Sequence, residues 1–391
     1  MICRTCGICY NPYIFRFFSD RHAENTFPAE NKEALMKANA LRWIVVVLML
    51  TAMIFLVSSP GLAETEFTHV LEGPDNPTVP LRPLTLDAPG SYEPLAMDQL
   101  VKGRPLKLAN LSGDNMEYQD GSIHAIVTHD TVEFKDYAGK LKLNCYIIRV
   151  TIADASQMRS CMSYDDYDTR KQVKAATMAQ SANAVAAVNG DFFKNAADRG
   201  YIFRQGVFYR DKAEARRDVL LIDSEGDFHI IHAATGADVE EAMAALPEGV
   251  TGVNTFNIGP ALIENGQVVN MMESTVATTR NSHDQFQYRY RMQRAAIVQL
   301  GHLQYAIVEC NGTSDAKKGM NIQVLADYIK DLFPDAITAY NLDGGGSTNV
   351  IFPQAGVNKK TKEPEVQFIR IHKNPDAREI CDLLYFASLE D

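Results

Sequence analysis

The chain has no excess of basic charge: 38 Lys and Arg stand against 49 Asp and Glu, giving a net charge of −11. That balance excludes a nucleic-acid binder or a polybasic membrane-surface protein, because both depend on a positive field. Nor is there a long apolar run. Trp43 to Val57, the longest, has 15 residues, short of the roughly 20 that span a bilayer. Histidine spacing of the zinc type is also missing, since His229 and His232 are three apart on an expected strand and face opposite sides. No obligatory transition metal is expected, while calcium or magnesium stays open. No internal repeat is visible. What remains is a 391-residue chain, 46% hydrophobic, with ample material for a substantial globular core.

Cysteines are few. Cys3, Cys6 and Cys9 have metal-ligand spacing, but no proline-terminated fourth cysteine or nearby His partner follows, so no metal role is read there. Cys145, Cys161, Cys310 and Cys381 allow three disulfide connectivities, and no pair is assigned. Cys145 and Cys310 sit in apolar β-type runs, where a buried small hydrophobe is the expectation.

The apolar run follows Lys37 and Arg42 and precedes Gly61-Leu62-Ala63, the architecture of an export signal. Residues 36–63 are therefore read as a signal peptide or signal anchor, giving a secreted or cell-envelope protein whose membrane contact is through that segment alone. Met36-Lys37 opens an ordinary signal by itself, so residues 1–35 are read as an upstream segment from an early-assigned start codon. Residues 64–120 carry Pro74, Pro77, Pro80, Pro83, Pro89 and Pro94 and read as a linker. Residues 121–391 read as the folded domain.

Within that domain, Ser122 to Thr128 and Cys145 to Ile152 have strand composition. Hairpins are expected over Val219–Ile222 with Phe228–Ile231, and over Ala295–Leu300 with Tyr305–Glu309. Asp168–Asn183 is expected to be helical with Asp168 as N-cap, and Asn321–Phe333 shows a one-sided apolar stripe ended by Pro334. The expected class is α+β: a mixed, mostly antiparallel β-sheet domain with a few packed helices.

Two strand ends stand out. Ala184–Asn189 runs into Gly190-Asp191-Phe192-Phe193, and Ala336–Leu342 runs into Asp343-Gly344-Gly345-Gly346-Ser347-Thr348. Glycine at such a turn permits positive φ and close backbone approach, and successive N–H groups can form an anion-binding concavity. Asp191 and Asp343 are the candidate catalytic carboxylates, each in a Gly-bearing turn after an apolar strand. Asn189 and Asn341 end the two strands symmetrically, with amides suited to hydrogen-bonding a ligand or to capping the turns. Gly190, Gly344, Gly345, Gly346, Ser347 and Thr348 complete the candidate binding loops. Glu309, at another strand end, is placed with the cleft carboxylates or with Asp343 on a divalent ion.

These blocks resemble the phosphodiester glycosidases, whose signature is an NG-x-FF element followed far downstream by NLDGGGS. Asn257–Leu262, Arg294–Ile297, Gly319–Ala326 and Arg378–Leu384 resemble further family segments in the same order, so the likeness spans roughly Tyr146 to the C-terminus. Departures occur at Ala295, at Val298-Gln299 and at Glu309–Gly312. The resemblance implies hydrolysis of a sugar-1-phosphodiester in a phosphoglycan, cell-wall polymer or exopolysaccharide, with Arg294 on the phosphate. The alternatives are an inactive binding protein for anionic glycans and a strict P–O phosphodiesterase. The acid and base assignments of Asp191 and Asp343 stay open.

Signal cleavage after Ala63 is the first testable expectation. N-terminal sequencing of exported protein should begin at Glu64, and persistence of the earlier residues in most molecules would make the segment an anchor.

Overall fold

The computed structural model describes residues 65–73, 81, 84–86, 92–98, 100–136, 139–168, 171–191, 200–213, 217–269, 289–313, 318–372 and 377–391. The upstream segment, the signal segment, Cys3, Cys6, Cys9, Phe192 and Phe193 lie outside the described residues.

Strand alternation organises everything that follows. In Arg294–Gly301, Ala295 and Ile297 enter one core while Ala296 and Val298 enter another. In Gln304–Cys310, Tyr305 and Ile307 enter the first, and Ala306, Val308 and Cys310 the second. A strand buried on both faces must sit between two layers. These strands belong to a ten-stranded sheet that also holds the long hairpin of Ile123–Asp136 and Gly139–Ile152, together with Thr338–Asn341 and Ala261–Glu264. Its outer face is covered by the Ile322–Leu332 helix, whose Leu325, Ala326, Tyr328 and Ile329 complete the second core.

A five-stranded sheet, ordered Pro364–Arg370, Val350–Val357, Ala184–Asn189, Asp382–Ala387 and Met158–Met162, packs on the inner face. Ala186, Val188, Phe352, Leu384 and Phe386 join Ile297 and Ile307 in the shared central core. Ala187, Ile351, Leu383 and Tyr385 face outward beneath the Ala175–Ala182 helix. The result is four layers: helix, sheet, sheet, helix.

Every strand pairing among the described residues is antiparallel, as expected. The α+β expectation is otherwise corrected to a β-rich fold. Three α-helices of 8, 9 and 11 residues appear among the described residues, one of them on the outer face of each large sheet.

Two boundaries differ from expectation. The first helix starts at Ala175 after Lys174, not at Asp168, because Val173 instead forms an antiparallel bridge with Ile380. It stops at Asn183, which turns left-handed with φ of 54°. The described part of the proline-rich stretch is not a tether. Phe67–Thr68, Leu71–Glu72 and Glu117–Gln119 all pair with Ile123–Asp136, and Leu95 is buried. Prolines prevented long elements without preventing short edge pairings. Cys145, Cys161, Cys310 and Cys381 are buried and free, with Cys145 directly opposite Cys310.

The leading strand is held by His69. Its Nδ1 lies 2.6 Å from Asp130 and its Nε2 2.7 Å from Asp331, while buried Asp130 also accepts from Tyr328 Oη at 2.8 Å. Burial disfavours the charged ring, but the hydrogen bonds and charges of Asp130 and then Asp331 outweigh it and raise the His69 pKa above 6.5. Only protonated imidazole donates from both nitrogens. The latch is therefore fully present below pH 6.5 and fades as pH rises through the elevated folded value. The melting difference between wild type and His69→Gln should be greatest near pH 6, about 2–4 °C for a contribution near 1 kcal/mol. It should shrink by pH 9; a pH-independent difference would rule out a protonated latch.

Candidate functional site

The glycine loop crosses between the sheets. It leaves Thr338–Asn341 in the larger sheet and enters Val350–Val357 in the smaller one, where Ala184–Asn189 and Asp382–Ala387 lie alongside. A cavity of about 300 Å³ opens there, lined among others by Asn189, Asp191, Asp343, Ser347, Arg378 and Asp382.

Beneath it lies a fully buried cation. Arg204, at the end of the Gly200–Arg204 hairpin strand, donates from Nη2 to Asp191 Oδ1 at 2.8 Å and to Asp382 Oδ2 at 3.1 Å. Its guanidinium stands 4.3 Å from the Phe256 ring centroid, and Nη1 donates to the Thr255 carbonyl. Asp191 Oδ2 accepts from Asn257 N at 2.7 Å and Asn257 Nδ2 at 3.1 Å, so both of its oxygens are fixed. Burial pushes Asp382 up to about 8 despite the pull of Arg204, and repulsion from Asp191 and Asp343 adds to the rise. One guanidinium cannot neutralise two carboxylates. Gly190 is required by this packing, since a Cβ there would lie 2.3 Å from Asp382 Oδ2.

Asp343 is tied to the same assembly through its backbone. Asn189 Nδ2 donates to the Asp343 carbonyl at 2.8 Å, and Asp343 N approaches the Gly190 carbonyl at 3.4 Å. Burial raises the Asp343 pKa, opposed by Ser347, Arg378 and the Gly344 amide and supported by Asp191. Its Oδ2 is buried with no hydrogen-bond partner, and Arg378 Nη2 lies 3.7 Å away. Arg378 is aimed by Ser347 Oγ, which accepts from its Nε at 2.8 Å and its Nη2 at 2.5 Å.

Asp191, Asp343, Asn189, Gly190 and Ser347 are thus brought together. Other expected residues are placed elsewhere. Arg294 points to the outer face of its strand, where Nε donates to Met320 O at 3.1 Å and Nη2 to Tyr290 O at 3.0 Å. Asn341 shares that side of the sheet and donates to Gly259 O at 2.7 Å. Period two explains both: the inward positions are Ala295 and Tyr340. The anion concavity is also corrected. Gly345, with φ of 59°, donates its amide to Gln293 O at 2.9 Å, while the amides of Ser347 and Thr348 return to Gly344 and Gly345 at 3.2 Å. Gly344 and Gly346 shape the loop, and Thr348 is fully buried. Glu309 is buried on the inner sheet face, its Oε1 accepting from Gln293 Nε2 at 2.7 Å.

Sequence reasoning assigned no role to Arg204, Asn257, Arg378 or Asp382. Asp382 carried a signal, being an acid inside the apolar run Ile380 to Ala387. Among the described residues, no group of three or more His, Cys, Asp or Glu side chains is arranged to hold a metal ion. No described helix is long and apolar enough to cross a membrane.

Clustered carboxylates, one held by two partners and one with an oxygen that accepts no hydrogen bond, beside an aimed guanidinium are groups of the kind that acid–base hydrolysis uses. The phosphodiester glycosidase family model matches residues 182–385, just over half of the chain, and the chain belongs to that family. Its fold is similar to the catalytic domain of zebrafish N-acetylglucosamine-1-phosphodiester α-N-acetylglucosaminidase, auto-inhibited by its pro-peptide. That similarity has 15% identity, coverage of 69% of this chain and 84% of that one, and a TM-score of 0.52. A hypothetical protein from Synechocystis has 15% identity, coverage of 66% and 61%, and a TM-score of 0.40. No curated protein sequence matches.

Arg204→Met should cost about 3–5 kcal/mol of unfolding free energy, because it strands buried acids without a counter-charge. Urea unfolding tests this, and adding Asp382→Asn should recover part of the loss. An unchanged midpoint and slope would show that Arg204 does not hold the assembly.

Proposed function

We propose that this protein is an exported hydrolase that cleaves a sugar-1-phosphodiester at the anomeric C1–O bond, acting on a phosphoglycan, cell-wall polymer or exopolysaccharide. The carrying observation is Asp343 Oδ2, which is buried without a hydrogen-bond partner, 3.7 Å from Arg378 Nη2, at a cavity shared with Asp191 and Asp382. Family membership supports the coarser activity, hydrolysis at phosphodiester-linked sugars.

Asp343 is the carboxylate with freedom to act. Its Oδ2, which accepts no hydrogen bond, takes a proton from water attacking C1, or stabilises the oxocarbenium-like centre, as glycosidase chemistry requires. The C1–O bond breaks with its electron pair passing to the phosphate oxygen. Asp382, protonated up to about pH 8, supplies a proton to that oxygen. Arg378 holds the phosphate and offsets its developing charge, a role expected of Arg294 from the sequence. Asp191 is a positioning residue, since Arg204 and Asn257 occupy both oxygens.

Asp343→Asn should keep the melting temperature and lower kcat by about 10²–10⁴-fold. Unchanged turnover would remove Asp343 from the mechanism. In heavy-oxygen water the label should enter the sugar; label in the phosphate would mean P–O cleavage. As an acid, Asp382 should give a kcat that falls as pH rises past about 8, and Asp382→Asn should abolish that limb. Binding of sugar phosphodiesters without any product would favour the binding-protein alternative.

A further inference from the structure

A row of residues crosses the outer side of the ten-stranded sheet, beneath the Ile322–Leu332 helix. Cys145 stands directly opposite Cys310 on one neighbouring strand and directly opposite Asp130 on the other. Cys310 stands in turn opposite Arg294. Both cysteines are fully buried in the second core, together with Leu143, Val308 and Tyr328. Tyr328 Oη donates to Asp130 at 2.8 Å, which fixes the helix over the row.

The ladder around the two cysteines sets how near they come. Asn311 N donates to the carbonyl of Asn144 at 2.9 Å, and these residues are the next opposed pair along the same two strands. Hydrogen-bonded and non-hydrogen-bonded pairs alternate along an antiparallel ladder, so Cys145 and Cys310 occupy a non-hydrogen-bonded pair. At such a pair the Cα atoms approach to about 4.5 Å and the side chains come closest. That separation falls within the roughly 4.4–6.8 Å over which a disulfide closes without backbone movement. Both side chains leave the sheet on the same face. The Cys310 thiol is pushed up by burial and then by the hydrogen bond and charge of Cys145. Cys161 and Cys381 lack this relation, since Cys161 is opposite Leu383 and enters a different cluster from Cys381.

We propose that Cys145 and Cys310 are a disulfide site, present as two free thiols in this structure and closed into a cross-strand clip when the chain folds in oxidising surroundings. The two thiols give up two protons and two electrons, and one sulfur–sulfur bond forms. A low-molecular-weight disulfide of the glutathione class takes them and is cleaved to two thiols. In the folded protein burial keeps the Cys310 sulfur protonated and out of reach, so the exchange belongs to the folding chain, before the helix packs on the sheet. The loop closed by the bond contains the Asn189–Asp191 turn and Arg204, and a link across so long a loop strongly restricts the unfolded chain. The oxidising surroundings rest on the exported reading above.

Refolding tests the pair. The full chain, unfolded in urea with a reductant, is refolded in a mixture of reduced and oxidised glutathione, trapped by alkylation and mapped as peptides without reduction. The Cys145 and Cys310 peptides should be joined, while Cys161 and Cys381 carry the alkylating group. Cys310→Ala should leave Cys145 alkylated. The joined form should melt about 4 °C or more above protein refolded with the reductant retained, as the usual contribution of a native disulfide requires. Alkylation of both Cys145 and Cys310 in folded protein overturns the proposal, as does a link from either to another cysteine or equal melting of the two forms. Protein recovered from its own cells separates this result from the exported reading. A pair that joins in glutathione but is alkylated in the recovered protein removes the oxidising location and keeps the site, whereas failure to join in glutathione removes the site alone.

Discussion

The site depends on one buried positive charge serving two negative ones. Arg204 reaches Asp191 and Asp382 from a hairpin outside both large sheets, and nothing else in its immediate bonding set is anionic. Desolvation of three such groups is expensive, and their geometry must be good for the fold to tolerate it. The excess negative charge is relieved by protonation of Asp382, which turns a structural problem into an acid held ready beside the cavity. Gly190 is part of the same solution, because any side chain there would occupy the space of the Asp382 carboxylate.

Legibility of the fold followed the strength of local pattern. The hairpins around Gly226 and Gly301 and the Ile322–Leu332 helix were readable because alternation, turn residues and a one-sided stripe agree over each segment. The start of the Ala175–Ala182 helix was not, since Val173 pairs with a residue more than two hundred positions away. The short edge strands at Phe67 and Leu71 were hidden by surrounding prolines, whose composition reads as a connector whether or not it docks. The preponderance of strand over helix was visible only in part, as pattern alone left room for larger helical layers.

In the site, the glycine-bearing turns pointed to Asp191 and Asp343, and both line the cavity. Their partners were opaque, because Arg204 comes from a separate hairpin and meets Asp382 only through three-dimensional packing. Arg294 and Asn341 illustrate a different limit. Their positions in the chain are next to functional segments, yet a strand sends adjacent residues to opposite faces, and these two fall on the helix side. Arg378 lies beyond the glycine loop in sequence but folds back so that its amide bonds Gly346 and its side chain bonds Ser347.

Asp191 hangs from a strand of the smaller sheet, whereas Asp343 follows a strand of the larger one. The spacing between these two cavity carboxylates is consequently a measure of how far apart the two sheets stand. Side chains such as Phe352 and Ile297, deep in the layer between them, act as shims for a gap they never touch. Thickness of the hydrophobic core therefore sets the separation of these two side chains, so a change of packing there alters the width of the cavity as well as stability.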